Sequence, residues 1–390
     1  MELLIKIVYL SDARIPSEMA NSVSIINLCN AFNELGSEIH LIKPWRYRNR
    51  KINSDDIYKI YGINNKFNIV NTPYLDLSMI QKLFPDLLLR SVNYLSKRIW
   101  QKYVVNYVVN NFSPDIIHMR NNIPFALYYL RKMNKLVFLE FYDVPTKFYL
   151  DIYKKSIVGN KNLILSAITS NLADKISELF QIERKMIAIS PSGVDKSKYK
   201  QTNFNKNKIR KTIMYVGNLY PDRGVDNFVL ASKNILEHDF IVVGGNKSEA
   251  DYLIKNFNLY NENLSFIPHQ THSKLSKYYA KSDILILPDT AKNVWRKLYV
   301  SPNKLFEYMA ACKPIVASDL PSIKEVVTDN QSALLFTPDD PKDLTDKINK
   351  LVNNERLSNL LSHNAFNLVD HYTWETKARN MLDLIKDRMA

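Results

Sequence analysis

Short apolar runs alternate with helical patterns along the whole chain. In the first half the runs predict strands at 5–10 (IKIVYL), 38–44 (EIHLIKP), 67–73, 115–120, 135–141, 163–169 and 186–193. Between the first two, Val23, Ile26, Leu28, Phe32 and Leu35 return with a helical period, and Gly36 suits the helix end. A polar, basic stretch at 195–211 (DKSKYKQTNFNKNKIRK) then interrupts the pattern and predicts a domain boundary. A second series follows at 212–219, 239–245, 264–268, 283–288, 314–319 and 333–338, and 373–389 predicts a long closing helix. Strands that are apolar throughout, in strand–helix–strand order, imply parallel sheets covered on both faces. The expected fold class is α/β, with two Rossmann-like domains facing each other across a cleft. In such sheets ligands bind beyond the carboxyl ends of the strands, so the informative residues are expected in the loops that follow them.

One segment stands apart. Residues 77–112 read as helical and very apolar, with five Lys or Arg against one Asp. A basic apolar helix pair of this kind suits a membrane surface; the alternative is a core-facing helix with its lysines reaching outward.

Composition narrows the partners. The 390 residues suit two domains, and the net charge of +14 calls for an anionic partner. Nucleic acid, an anionic membrane and a phosphorylated small molecule all qualify. Interleaved basic and aromatic residues of the kind that bind single strands are not evident in the strands, so nucleic acid is not expected. Cys29 and Cys312 are the two cysteines, which excludes a disulfide framework and a cysteine-rich metal site. Buried free thiols and a cytoplasmic setting follow. No apolar run is long enough to span a bilayer, and the opening LLIKIVY lacks a signal cleavage site.

Several signatures are missing: the phosphate loop G-x-x-x-x-G-K-[ST], the dinucleotide fingerprint G-x-G-x-x-G and any Asp-x-Asp pair. His269 and His272 lack a partner at metal-ligand spacing, so no metal is expected. Two stretches do carry chemistry. In YVSPNKLFEYMAACKP (299–314), Ser301 reads as an N-cap and Pro302 as the first helical residue. The amides of Asn303 and Lys304 would then open an anion site at the positive end of the helix dipole. Lys304 opposes that dipole, which an anion bound there would explain. Glu307 shares its face, at a height where it can accept hydrogen bonds from vicinal hydroxyls; the alternative is an ordinary i,i+3 ion pair. In YVGNLYPDRGVD (215–226), Gly217 allows a close turn, and Arg223 before the helix could fork onto a diphosphate or pair with Asp222 or Asp226. Gly244 and Gly245 end a further strand where a base or phosphate could approach the backbone.

These stretches, with PSGVD (191–195), AKSDILILP (280–288), the block SPNKLFEYMAACKPIVASDLPSIKEVV (301–327) and the final YTWE helix, resemble retaining glycosyltransferases of the GT-B fold, glycosyltransferase family 4 (group 1). The start at 13–44 is similar to bacterial members acting on surface polysaccharides. The resemblance implies an acceptor domain at 1–197, a linker at 198–210, a donor domain at 211–371 and a helix at 372–390 returning to the first domain. Glu307 matches the second glutamate of the family's E-x7-E motif, which contacts the donor ribose. The first falls at Tyr299. Arg223 matches the basic residue that binds the donor diphosphate. Asn218 replaces a second basic position, and Lys304 would supply that cation. Cys312 stands where glycine is common. The sugar-side histidine of the family corresponds to Tyr142, beside Asp143, and His118 is the best remaining histidine for a catalytic role. Arg14, Ser17, Glu18 and Asn21 are the acceptor-side candidates of the first loop.

The resemblance therefore implies a metal-independent hexosyltransferase without a cofactor. Its donor would be a UDP-sugar rather than a GDP-sugar, and its acceptor a glycan, lipid-linked, at the inner face of the plasma membrane. Two rivals were weighed: a nucleotide-sugar epimerase or hydrolase needing no acceptor, and a non-catalytic basic protein binding membrane or nucleic acid.

Overall fold

The chain alternates strand and helix almost from end to end, and the computed structural model describes residues 4–17, 19–46, 49, 53–76, 86–199 and 208–390, without the side chains of 86–90. Contacts divide it into two units, residues 1–191 with 377–390, and residues 192–376.

The first unit runs β1 (Lys6–Leu10), α1 (Ala20–Glu34), β2 (Glu38–Pro44), α2 (Ser54–Tyr61), β3 (Asn68–Thr72), α3 (Asp86–Phe112), β4 (Ile116–Arg120), α4 (Pro124–Lys132), β5 (Val137–Phe141), α5 (Leu150–Ile157), β6 (Leu163–Ala167), α6 (Ser170–Phe180) and β7 (Ile187–Ile189). Its sheet has the order β3-β2-β1-β4-β5-β6-β7, and every pairing is parallel. β4, β5 and β6 are buried along their full length, as strands covered on both faces must be. The left-handed Gly36 (φ 85°) follows the cap of α1, as its sequence position suggests. Of the segment 77–112, residues 77–85 lie outside the described residues, and the rest is the single helix α3.

The second unit runs β8 (Thr212–Val216), α7 (Val225–Asn234), β9 (Asp239–Val243), α8 (Lys247–Phe257), β10 (Leu264–Ile267), α9 (His272–Lys281), β11 (Ile284–Leu287), α10 (Val294–Tyr299), α11 (Asn303–Ala310), β12 (Ile315–Ser318), α12 (Pro321–Lys324), β13 (Leu334–Phe336), α13 (Pro341–Val352) and α14 (Glu355–Leu368). The sheet order is β10-β9-β8-β11-β12-β13, again parallel throughout. One apolar cluster fills each face of this sheet, the first around Phe306, Tyr308 and Met309 of α11, the second around Phe228 and Val229 of α7.

α15 (Trp374–Met389) starts in the second unit and continues into the first from Lys377. Within the first unit the Lys377 ammonium donates to the fully buried carboxylate of Glu140 and to the carbonyls of Ser190 (2.8 Å) and Pro191 (2.9 Å). Burial would raise the pKa of Glu140, but Lys377, the His118 contact and Arg120 together outweigh it and hold the carboxyl down at about 2.

Both sheets reverse direction in the middle, between β1 and β4 and between β8 and β11. Loops leaving such a switch point diverge and open a crevice at the carboxyl ends of the strands. At the second switch point the loops still touch. A Cβ on Gly224 (φ 60°), after β8, would collide with the carbonyl of Pro288, after β11. One strand over, a Cβ on Gly244 (φ 139°) would collide with the carbonyl of Gly217. Of the glycines expected to admit a ligand, Gly244 is thus required by backbone packing between neighbouring loops.

Candidate functional site

The chemistry of the second unit gathers on α11 and on the loops after β8 and β11. Helix α11 begins one residue later than the sequence suggests. Pro302 is its N-cap, without a side-chain cap bond, and Asn303 is its first residue. The buried Ser301 hydroxyl is engaged elsewhere and accepts the amide of Ser192 at 2.9 Å. Ser301 therefore ties this helix to the start of the unit instead of capping it. Asn303 is half-buried, and its Oδ1 finds no hydrogen-bond partner among the described residues. Tyr308 accepts the amide of Val216 at 3.0 Å, which pins α11 to the carboxyl end of β8, one residue before Gly217.

Glu307 is 5% exposed and held from three sides. Lys304 Nζ lies 2.9 Å from Oε2, Tyr279 of α9 donates its hydroxyl to the same oxygen, and His272 Nε2 stands 3.3 Å from Oε1. Lys304 also donates to the Tyr279 hydroxyl at 3.2 Å. Burial alone would raise the pKa of Glu307. The Lys304 ammonium and the His272 contact override it and hold the carboxyl well below the usual carboxylate range. The i,i+3 pairing of Lys304 with Glu307 is thus real, but it belongs to a buried network and not to a solvated surface. Tyr279 and His272 were not legible in the sequence, because α9 contributes them from about thirty positions upstream.

Arg223 ends a short 3-10 turn, Pro221–Arg223, directly after the β8 loop. Its Nε is buried and finds no hydrogen-bond partner among the described residues. The expected competitor, Asp222, is occupied by Arg296, whose Nε donates to Asp222 Oδ2 at 2.9 Å. The same guanidinium donates to both oxygens of Asp289 at 3.2 Å. Arg296 comes from α10, a helix inside what the sequence suggested was a plain loop, and Tyr299 is the last residue of that helix. Asn218 is exposed, and its carbonyl accepts the Tyr215 hydroxyl at 2.7 Å. Gly217, Gly244 and Gly245 lie at the ends of β8 and β9.

In the first unit the structure corrects the place of His118. It lies inside β4, not after it, and is 1% exposed. Its ring packs edge-on against Tyr9 (4.4 Å between centroids) and Phe138 (5.3 Å), and burial lowers its pKa. That is a core histidine, unable to reach a substrate. The next charged residue, Arg120, gathers several of the candidates. It donates to Asn21 Oδ1, to Ser24 Oγ (2.8 Å) and to the Tyr142 hydroxyl (2.8 Å). The exposed Asp143 sits beside them, its carbonyl accepting from Asn121 at 2.7 Å. Ser17 is bound to Ser22 (2.8 Å) and to Tyr61, whereas the Arg14 side chain is exposed. Glu18 lies outside the described residues. Sequence reading missed Arg120, Glu140 and Lys377. The available signal was a lone carboxylate in the apolar run VFLEF and a lone guanidinium ending IIHMR.

Among the described residues, no group of three His, Cys, Asp or Glu comes together to hold a metal ion. No described helix is long and apolar enough to cross a membrane.

Two parallel doubly wound sheets, with charged groups at the switch point of the second, define an α/β protein of two Rossmann-like units. More specifically, residues 196–368, most of the second unit, match the model of the family glycosyl transferases group 1. An uncharacterized glycosyltransferase of Methanocaldococcus jannaschii is 27% identical over 165 residues, covering 42% of this chain and 44% of its own. The capsular polysaccharide biosynthesis glycosyltransferase CapM of Staphylococcus aureus is 24% identical over 226 residues, covering 55% of this chain and 56% of its own. The chain thus spans about half the length of these curated relatives. The crystal structure of Anabaena HepE in complex with UDP superposes with a TM-score of 0.72 at 14% identity, covering 98% of this chain and 100% of that one. At that identity the likeness shows a shared fold, the two Rossmann-like units expected for GT-B.

Proposed function

We propose that the chain is a retaining family 4 glycosyltransferase. It moves a sugar from a nucleoside diphosphate sugar, a UDP-sugar by preference, to a glycan acceptor. The observation that carries the reading is Arg223: a half-buried arginine at the switch point, its buried Nε unpartnered among the described residues and the carboxylate beside it already taken. Such a group stabilises a diphosphate as it leaves, in a setting where water screens little. Glu307 would accept hydrogen bonds from the donor ribose. HepE was solved with UDP, which supports a uridine donor. CapM is named for capsular polysaccharide biosynthesis, which supports a surface-glycan acceptor; that this acceptor is lipid-linked and met at the inner membrane face is part of the proposal. The reaction is proposed to need no metal, since Arg223 carries the charge that a divalent ion would otherwise meet.

A donor screen tests this. The full chain is incubated with UDP- and GDP-sugars and extracts of lipid-linked glycans, and nucleotide release is measured with and without EDTA. Acceptor-dependent release that survives EDTA is expected. Release that is fast without any acceptor points to the epimerase or hydrolase instead, and strict metal dependence defeats the metal-free mechanism.

The membrane part rests on α3. Trp100, Val104 and Val108 bury one face, while Leu95, Ile99 and Tyr103 form an exposed apolar row beside exposed Arg98 and Lys102. Such a row suits the surface of an anionic bilayer. Co-sedimentation with vesicles containing anionic lipid is expected and should weaken severalfold with Ile99→Glu. Equal binding by that variant would remove α3 from the contact.

A further inference from the structure

We infer that Arg296 is a positioning residue that keeps Arg223 free for the donor diphosphate, by taking up both carboxylates that would otherwise neutralise it. The inference rests on the donor-site reading above and assigns a role to a residue outside it.

Four charges meet at the second switch point. Asp222 and Arg223 are consecutive on the loop after β8, Asp289 follows β11, and Arg296 lies in α10. Left to themselves, Arg223 and its neighbouring acids would pair, because the buried Nε of Arg223 and the buried carboxyl of Asp289 are each costly alone. In the structure they do not. Arg296 is 3% exposed and reaches both acids at once, Asp222 through Nε at 2.9 Å and Asp289 through a terminal nitrogen at 3.2 Å. A planar fork can do this where an ammonium cannot. Its own position is fixed on two sides. Asn293 caps its amide at 3.1 Å, and the Ser322 hydroxyl donates to its carbonyl at 2.8 Å. Asn293 Nδ2 adds a 3.4 Å contact to the same Asp222 oxygen. Arg223 is left with a buried, unpartnered Nε and no ion pair among the described residues. The arrangement divides the charges unequally: among the described residues Arg296 makes the short contacts to both acids, and Arg223 acts on Asp289 only through its charge, without a hydrogen bond to it.

The probe is UDP, titrated calorimetrically into the full chain. Arg296→Gln releases Asp222 and Asp289 toward Arg223, and UDP affinity is expected to fall roughly tenfold. Adding Asp222→Asn removes the acid adjacent in the chain and is expected to restore affinity to within about threefold of wild type. A merely structural Arg296 gives the opposite order, since the double variant has lost one more member of the network and binds no better than the single one. Arg296→Lys retains the charge without the double reach. Its smaller loss, and the rescue of that loss by Asp222→Asn, carry the same comparison should Arg296→Gln not fold. Wild-type affinity in Arg296→Gln, or absence of rescue in both pairs, overturns the inference while leaving the donor site standing. A wild-type chain that binds neither UDP nor GDP overturns the donor reading, and this inference with it.

Discussion

Replacing Glu307 with alanine is expected to raise the donor KM by roughly a hundredfold with a much smaller change in kcat. The carboxylate is nearly inaccessible, yet Lys304 and His272 hold it ionised, so its charge is present throughout the neutral range. Its partners share the work unevenly: Lys304 and Tyr279 crowd Oε2, whereas among the described residues Oε1 has only the 3.3 Å contact to His272. A carboxylate oxygen can accept more than one hydrogen bond, so Oε1 is the atom with capacity left for a pair of vicinal hydroxyls. A ribose contact formed equally in the ground state and the transition state changes KM and not kcat. Glu307→Gln separates this role from a structural one. The amide keeps the shape and one acceptor but loses the charge, and its KM should fall between those of wild type and alanine while the thermal midpoint stays near wild type. His272→Ala, which removes the Oε1 contact without touching Lys304, should shift KM in the same direction by a smaller factor. If kcat falls and KM holds in Glu307→Ala, the residue acts on the reacting centre and the ribose assignment is wrong.

How much of this could be read beforehand depends on the range of the interaction. The central strands announced themselves, because a strand covered on both faces must be apolar along its length. LILSA, VFLEF and IIHMR could hardly be anything else. The segment 186–193 was harder; only Ile187–Ile189 pair, after a short 3-10 turn. Local signals also misled in a specific way. A Ser-Pro pair before a helix looks the same whether the serine caps the helix or serves a tertiary bond, and Ser301 does the second. Cys312, in the position where glycine is common, does adopt a left-handed backbone (φ 53°), so the local pattern was physically meaningful there. What spacing could not give were partners distant in sequence. Glu140 meets Lys377, Asp222 meets Arg296 and Glu307 meets Tyr279, and no local periodicity links any of these pairs. His118 shows the converse. A histidine in an apolar strand attracts attention as chemistry, and its aromatic neighbours make it part of the core.

Arg223→Ala is expected to lower kcat by roughly two to three orders of magnitude, with KM changing far less. The reason lies in when the charge is needed. Before the glycosidic bond breaks, the phosphate next to the sugar carries its charge spread over an ester; as the bond breaks, that charge concentrates on the departing oxygen. A half-buried guanidinium whose Nε makes no hydrogen bond to a carboxylate among the described residues meets this change with little reorganisation, which is the condition for a large electrostatic contribution. Lys304 offers no equivalent, because its ammonium is committed to Glu307 at 2.9 Å. Arg223→Lys keeps a cation but loses the paired donors, and should recover only part of the rate. Donors with a better leaving group need less help, so the loss in Arg223→Ala should shrink when a nucleotide sugar with a less basic diphosphate analogue is used. A loss of the same size with every leaving group would place Arg223 in binding or folding, away from the breaking bond.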